Sequence, residues 1–174
     1  MNTKEFITAL MDQCPDIVGD IDSERYQMLE METEMWRGEF HVPFKNKDTD
    51  PILNLVANIN QRSPIIEHLS FSDDYFCVLD HYLFGGIMED SLGIEISTGK
   101  INLLEISDGR ILYSCAKDSA SFLDAILQYT EYISRLTQRD IVDEGTERKS
   151  YINKATELAG GDSYLPFFSY LFSL

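Results

Sequence analysis

This chain of 174 residues lacks the patterns that most directly announce an enzyme. No Gly-rich phosphate loop precedes a helix, and neither HExxH nor a GxSxG elbow occurs, so phosphate-loop, zinc-protease and α/β-hydrolase chemistries have no signature here. Cations are scarce: 14 Lys and Arg stand against 30 Asp and Glu, a net charge of −16. That field repels nucleic acid and anionic membranes and attracts a basic partner. The three cysteines, Cys14, Cys77 and Cys115, never form a CxxC pair, which excludes a disulfide framework or zinc knuckle and reads as reduced core thiols. No apolar run is long enough to cross a bilayer, and the opening MNTKEFITALMDQC has the pattern of an amphipathic helix, not a signal peptide; a cytoplasmic protein is expected. No repeat and no low-complexity tract is expected.

What is present organises around Leu83 to Tyr132. Ser97-Thr98-Gly99-Lys100 and Ser107-Asp108-Gly109-Arg110 each place a Gly where a tight turn needs positive φ. Around them, Leu92, Ile94 and Ile96, then Ile101, Leu103 and Leu104, then Ile111 to Cys115 predict a meander. A capping residue at Asp118 or Ser119 follows, and Phe122, Leu123, Ile126, Leu127, Tyr129, Ile133 and Leu136 recur at helical spacing.

The flanking segments supply the other elements. Asn2 or Thr3 caps a helix with Phe6, Ile7, Leu10 and Met11 on one face, ended by Pro15, and Asp50-Pro51 opens another with Ile52, Leu53, Val56 and Ile59 inward. Tyr75 to Leu79 has the composition of a buried strand. Thr146 or Glu147 starts a helix carrying Tyr151, Ile152, Ala155 and Leu158, stopped by Gly160-Gly161, and the aromatic segment Tyr164 to Phe172 should dock on the core. The fold class is α+β: a single domain over 1–174, with a central, mostly antiparallel sheet whose strands lie near 75–80, 91–97, 100–106 and 110–116, flanked by N-terminal and C-terminal helices. Between Ile21 and Phe44 the alternation of Leu29, Met31, Thr33 and Met35 resumes out of phase at Trp36, which favours two strand segments with a bulge near Gly38, although Met and Glu also favour helix.

Candidate functional residues are acidic. Glu30, Glu32 and Glu34 would line one strand face, either as ordinary solvent face or as a landing strip for a basic partner, with Trp36 as an anchor if exposed. Asp73-Asp74 and Glu89-Asp90 flank the strand and loop before the meander; they read as ordinary loop-end acids or, with the glutamate row, as partner-binding acids, and a carboxylate hydrolase is the remote alternative. His41, His68 and His81 have no second ligand at metal-binding spacing, and no metal or cofactor is expected. Asp80-His81 beside Cys77 does not make a nucleophile, base and orienter, since consecutive strand residues face opposite ways.

Phe84-Gly85-Gly86 through Leu92-Gly93-Ile94-Glu95-Ile96, the turn Thr98-Gly99-Lys100-Ile101, and Cys115-Ala116-Lys117-Asp118-Ser119-Ala120-Ser121-Phe122-Leu123 resemble the SUKH superfamily, as does Ala159-Gly160-Gly161 before an aromatic tail. The resemblance covers the second half of the chain; residues 1–45 lack the superfamily's acidic-Leu-Pro entry. It implies an α+β fold without catalysis whose work is binding another protein. Many members are immunity proteins that neutralise toxins, often nucleases; others are adaptors of the translocation channel or regulators of cell-wall synthesis. The implied partner is a basic protein, a toxin domain first among the candidates, with no nucleic acid and no membrane insertion. The net charge favours a monomer.

Overall fold

Capping side chains set where the helices begin. The structure is a computed structural model describing residues 1–13, 50–58, 65–66, 68–141 and 143–174; Cys14, Pro15, the 21–44 segment, His41 and Ile59 lie outside the described residues. In α1 (Thr3–Gln13), Asn2 Oδ1 accepts the Glu5 N–H at 3.0 Å and Glu5 Oε2 accepts the Asn2 N–H at 2.9 Å, a reciprocal box. α2 (Pro51–Asn58) begins at the expected pair: Asp50 Oδ1 accepts the N–H groups of Ile52 and Leu53 at 2.9 and 3.0 Å. Asp50 Oδ2 accepts the Ser119 hydroxyl at 2.6 Å, so one carboxylate joins α2 to the first turn of α3 (Ser119–Thr137), itself capped by Asp118. α4 (Glu144–Ala159) starts earlier than Thr146, because Asp143 accepts both the N–H and the hydroxyl of Thr146, at 3.3 and 2.7 Å. Gly160, at φ 126°, ends it, and α5 (Leu165–Leu171) closes the chain. Leu158, expected inside, is 37% exposed.

Among the described residues the sheet has six antiparallel strands in sequence order: β1 (Ile65–Ile66), β2 (Leu69–Val78), β3 (His81–Ile87), β4 (Asp90–Glu95), β5 (Ile101–Leu104) and β6 (Ile111–Ala116). The meander and its glycine turns are as expected, with Gly99 at φ 76° and Gly109 at φ 71°. The region before it is not. The strand expected near 75–80 runs from Leu69 to Val78, and β3, unanticipated, holds Gly85 and Gly86 in its interior. These glycines permit close approach rather than a turn: a Cβ on Gly85 would fall 2.2 Å from the Ser70 carbonyl oxygen. The turns fall instead at Leu79-Asp80 and Met88-Glu89, where Leu79 (φ 47°), Asp80 (φ 62°) and Met88 (φ 55°) are left-handed without being glycine. Cys77, Val78 and Leu79 are exposed, so the tip of β2 is not the buried strand its composition indicates, and of the described thiols only Cys115 is in the core. Register shifts between Phe71 and Phe76 and between Leu83 and Gly85 interrupt the regular pairing between the tip and the rest of the sheet.

A repeat also emerges. Glu95-Ile96-Ser97-Thr98-Gly99-Lys100-Ile101 and Glu105-Ile106-Ser107-Asp108-Gly109-Arg110-Ile111 are two versions of one hairpin, contrary to the expectation of none. Their backbone bonds coincide: Gly99 N–H to Glu95 O at 2.8 Å and Gly109 N–H to Glu105 O at 2.9 Å; Glu95 N–H to Lys100 O at 2.8 Å and Glu105 N–H to Arg110 O at 2.9 Å. The turns sit at opposite ends of the sheet, yet Leu79, at the tip of β2, reaches the second of them, since a Cβ on Gly109 would fall 2.3 Å from Leu79 Cδ1. Coiling of a twisted sheet brings diagonal corners together in this way.

Helices cover the other face of the sheet around a file of rings. Phe6–Phe71, Phe71–Phe84, Phe84–Phe122 and Phe122–Phe167 have centroids 6.2, 6.2, 5.9 and 6.4 Å apart, joining α1, β2, β3, α3 and α5. Each of these rings is at most 1% exposed. Phe172 adds a second junction, 5.2 Å from Tyr129 and 5.3 Å from Tyr132, so the aromatic tail docks on the core. The described residues form a single α+β domain around one core.

Two outcomes follow. Phe122→Ala removes the ring that links Phe84 on the sheet to Phe167 on α5 and should cost about 3–5 kcal/mol in denaturant unfolding. Gly99→Ala and Gly109→Ala both force a Cβ into a left-handed turn, costing about 1–2 kcal/mol each. Gly109→Ala should cost more, because Leu79 must move, whereas a Cβ on Gly99 would point into open space. Adding Leu79→Ala should erase that difference.

Candidate protein-binding surface

At the ends of the sheet, large apolar side chains stand in solvent. Leu79 is 66% exposed, Met88 65%, Ile106 69% and Ile96 43%, with Val78 and Ile111 beside them. Leu79 and Met88 occupy left-handed conformations that cost a bulky side chain about 1–2 kcal/mol each. Two-residue hairpin turns call for positive φ, which glycine or asparagine meets at lower cost, so Leu and Met at these positions stand out as local strain.

Carboxylates surround these tips. Glu89 is exposed in the β3–β4 turn, and Asp90, opening β4, accepts the Ile106 N–H on Oδ1 at 3.4 Å, which joins that turn to the β5–β6 hairpin. In the β5–β6 hairpin Glu105 Oε2 accepts from the Arg110 guanidinium at 2.7 Å and Asp108 Oδ1 accepts the Arg110 N–H at 2.9 Å. In the twin hairpin the equivalent carboxylate, Glu95, accepts from the Thr98 hydroxyl and from Ser97 Oγ at 3.3 Å. The Thr98 bond is the main reason the Glu95 carboxyl stays below its ordinary range, against the opposing effect of desolvation.

Of the sequence candidates, then, Glu89 and Asp90 lie on this surface. Asp73 and Asp74 do not join them: their backbone lies in β2 between the two registers. Asp73 is four residues along from Leu69, whose partner Ile87 pairs in turn with Asp90. The irregular stretch that holds Asp73 and Asp74 lies opposite Phe84, three residues along β3 from Ile87, which at ~3.3 Å per residue is about 10 Å, so the two pairs of acids sit at different levels of the sheet. Glu30, Glu32, Glu34 and Trp36 lie outside the described residues. The apolar tips were missed because Leu, Met and Ile read as core in a sequence; the signal that could have found them is the seven-residue hairpin repeat.

On the coiled face beneath the tips, His81 and Asn102 are buried together. His81 Nδ1 lies 2.9 Å from Leu79 O, and Nε2 lies 3.2 Å from Asn102 Nδ2. Both contacts suit the neutral tautomer with the proton on Nδ1, donating to Leu79 and accepting from Asn102. The imidazole thus braces the strained turn and has no second ligand; among the described residues no group of three His, Cys, Asp or Glu could hold a metal. Gly93 makes room for the pair, since a Cβ there would fall 3.0 Å from the Leu83 and Leu104 side chains and 3.1 Å from His81 Cβ. Asp80, placed by the sequence reading on the opposite strand face from His81, is instead in the turn.

A second polar cluster lies between α3 and α4. Glu131, Arg135, Glu147, Ser150, Tyr151 and Lys154 line a cleft of about 220 Å³. Arg135 Nη1 donates to the Tyr151 hydroxyl at 3.1 Å and pairs with Glu147 at 2.7 Å, and Tyr151 donates to Glu131 at 3.0 Å. Burial is the main cause raising the Tyr151 hydroxyl above its ordinary range. Opposite charges satisfy one another here, so the cluster acts as a clasp between two helices. Cys115 is fully buried and its thiol is pushed well up by desolvation, which leaves it unreactive.

No family model, curated protein or solved structure matches the chain. No helix among the described residues is long and apolar enough to cross a membrane.

Protonation should reveal the Glu95 turn. A carboxyl depressed by folding stabilises above its unfolded value and loses that contribution as the pH falls through its folded one. Thermal stability of the wild type should therefore drop on acidification below about pH 4. In Glu95→Gln that part of the loss should be absent, measured by melting across pH 2.5–7.

Proposed function

We propose that this protein acts by binding another protein, as an immunity protein of the SUKH type that neutralises a toxin domain, with a nuclease the best fit. The observation that carries the reading is the surface just described, apolar tips set among carboxylates on a chain of net charge −16. An exposed apolar centre with a charged rim is how protein interfaces are built. Nucleases present cationic surfaces to grip phosphates, and a strongly anionic inhibitor meets them quickly by electrostatic steering and occupies the nucleic-acid site. The reading assigns no catalytic role to Asp73, Asp74, Glu89 or Asp90, and places the protein in the cytoplasm as a monomer.

Co-expression with toxin domains encoded beside the gene is the direct test. Rescue of growth together with co-purification is the expected result; the absence of both for every neighbouring domain overturns the immunity reading. Capture of a translocation-channel or cell-wall component instead would make the chain an adaptor using the same surface. For a toxin that is bound, the association rate should fall about tenfold or more on raising salt from 50 to 500 mM, read by stopped-flow.

A further inference from the structure

The two ends of the sheet are built alike. Each twin hairpin holds its second residue, Ile96 or Ile106, in solvent, and the N–H of that residue is taken up at the neighbouring turn, by the main-chain oxygen of Asp80 at 2.9 Å for Ile96 and by the side-chain Oδ1 of Asp90 at 3.4 Å for Ile106. The two-residue turn that contains Asp80, or that precedes Asp90, lifts an exposed apolar side chain on a left-handed backbone, Leu79 in one case and Met88 in the other. Glycine or asparagine would adopt those turns at lower cost, and in both an outward apolar residue bears that cost. Leu79 Cδ1 also lies against Gly109, so the two units adjoin.

Resting on the protein-binding reading, we infer that these ends are two copies of one docking element, each taking an apolar anchor flanked by cations from a basic partner. Charge complementarity selects that occupant. Beside Ile96 stand Asp80 and Glu95 against Lys100; beside Ile106 stand Glu89, Asp90, Glu105 and Asp108 against Arg110, whose guanidinium Glu105 already engages. Both elements are net negative around an apolar pair. A partner carrying two such anchors engages both at once, and its second contact forms at the high effective concentration that linkage provides.

The test uses the full chain with ¹³C-labelled Ile methyl groups and three synthetic peptides: Lys-Lys-Leu-Lys-Lys, the same with Gly for Leu, and two Leu copies joined by a Gly-Ser linker. The single Leu peptide should shift the methyls of Ile96 and Ile106 together, the Gly peptide should shift neither, and the tandem peptide should bind at least about tenfold tighter at one-to-one stoichiometry. Ile96→Ser or Ile106→Ser, both at exposed positions, should abolish the tandem gain with the rest of the amide spectrum unchanged. A response at only one of the two methyls or at neither, an equal response to the Gly peptide, or no tandem gain overturns the inference. Failure of the two readings is separable. If no toxin is neutralised while the methyls respond as described, the docking elements stand without the immunity role; if both Ile→Ser variants neutralise a toxin undiminished, the immunity role stands without them.

Discussion

The file of rings from Phe6 through Phe71, Phe84 and Phe122 to Phe167 is the contact on which the rest of this molecule depends. Three helices and two strands each contribute one ring. Because edge and tilted ring contacts are directional as well as apolar, the file sets the angle at which helices lie on the sheet in addition to burying area. Its fourth member, Phe122, sits on α3, the longest helix among the described residues, which also meets Phe172 through Tyr129 and Tyr132. The first and last described helices are thereby anchored to the same surface.

With one face of the sheet committed to that file, the other is free to coil. Glycine at 93 lets the coiled face close on His81 and Asn102, and Leu79 extends from one corner to the hairpin at the opposite one. The consequence is a rim of short turns whose apolar residues have no place in the core. Two of those turns are bent in the left-handed sense by Leu and Met, at a backbone cost that nothing in the core repays. On the protein-binding proposal, recognition falls to this rim and stability to the helix-covered face.

Much of this could be read from residue order. The meander, the glycine turns, the Asp50-Pro51 and Asp118 helix starts and the docking of the aromatic tail all depend on local rules, a required φ, a cap or a period, and those rules act within a few residues. β3 could not be read, because its glycines serve contact with Ser70 on a neighbouring strand, and its flanking turns use residues that local rules place elsewhere. Burial of the β2 tip misled for a related reason: Cys77, Val78 and Leu79 have the composition of a core strand, but they lie beyond the register shift and are exposed. Of the acids singled out, Glu89 and Asp90 reach the apolar rim through a hairpin sixteen residues downstream, a proximity that only strand pairing creates.

By itself, residue order determined the class of the fold, the positions of most helix starts and two of the hairpins, and a strongly anionic surface, since each depends on composition or on neighbours within one turn. Tertiary structure alone decided which apolar residues are core and which are rim, and that two similar hairpins at opposite ends of a sheet come to adjoin. Those outcomes depend on coiling and register, which arise from the summed geometry of six strands and are written in no single segment.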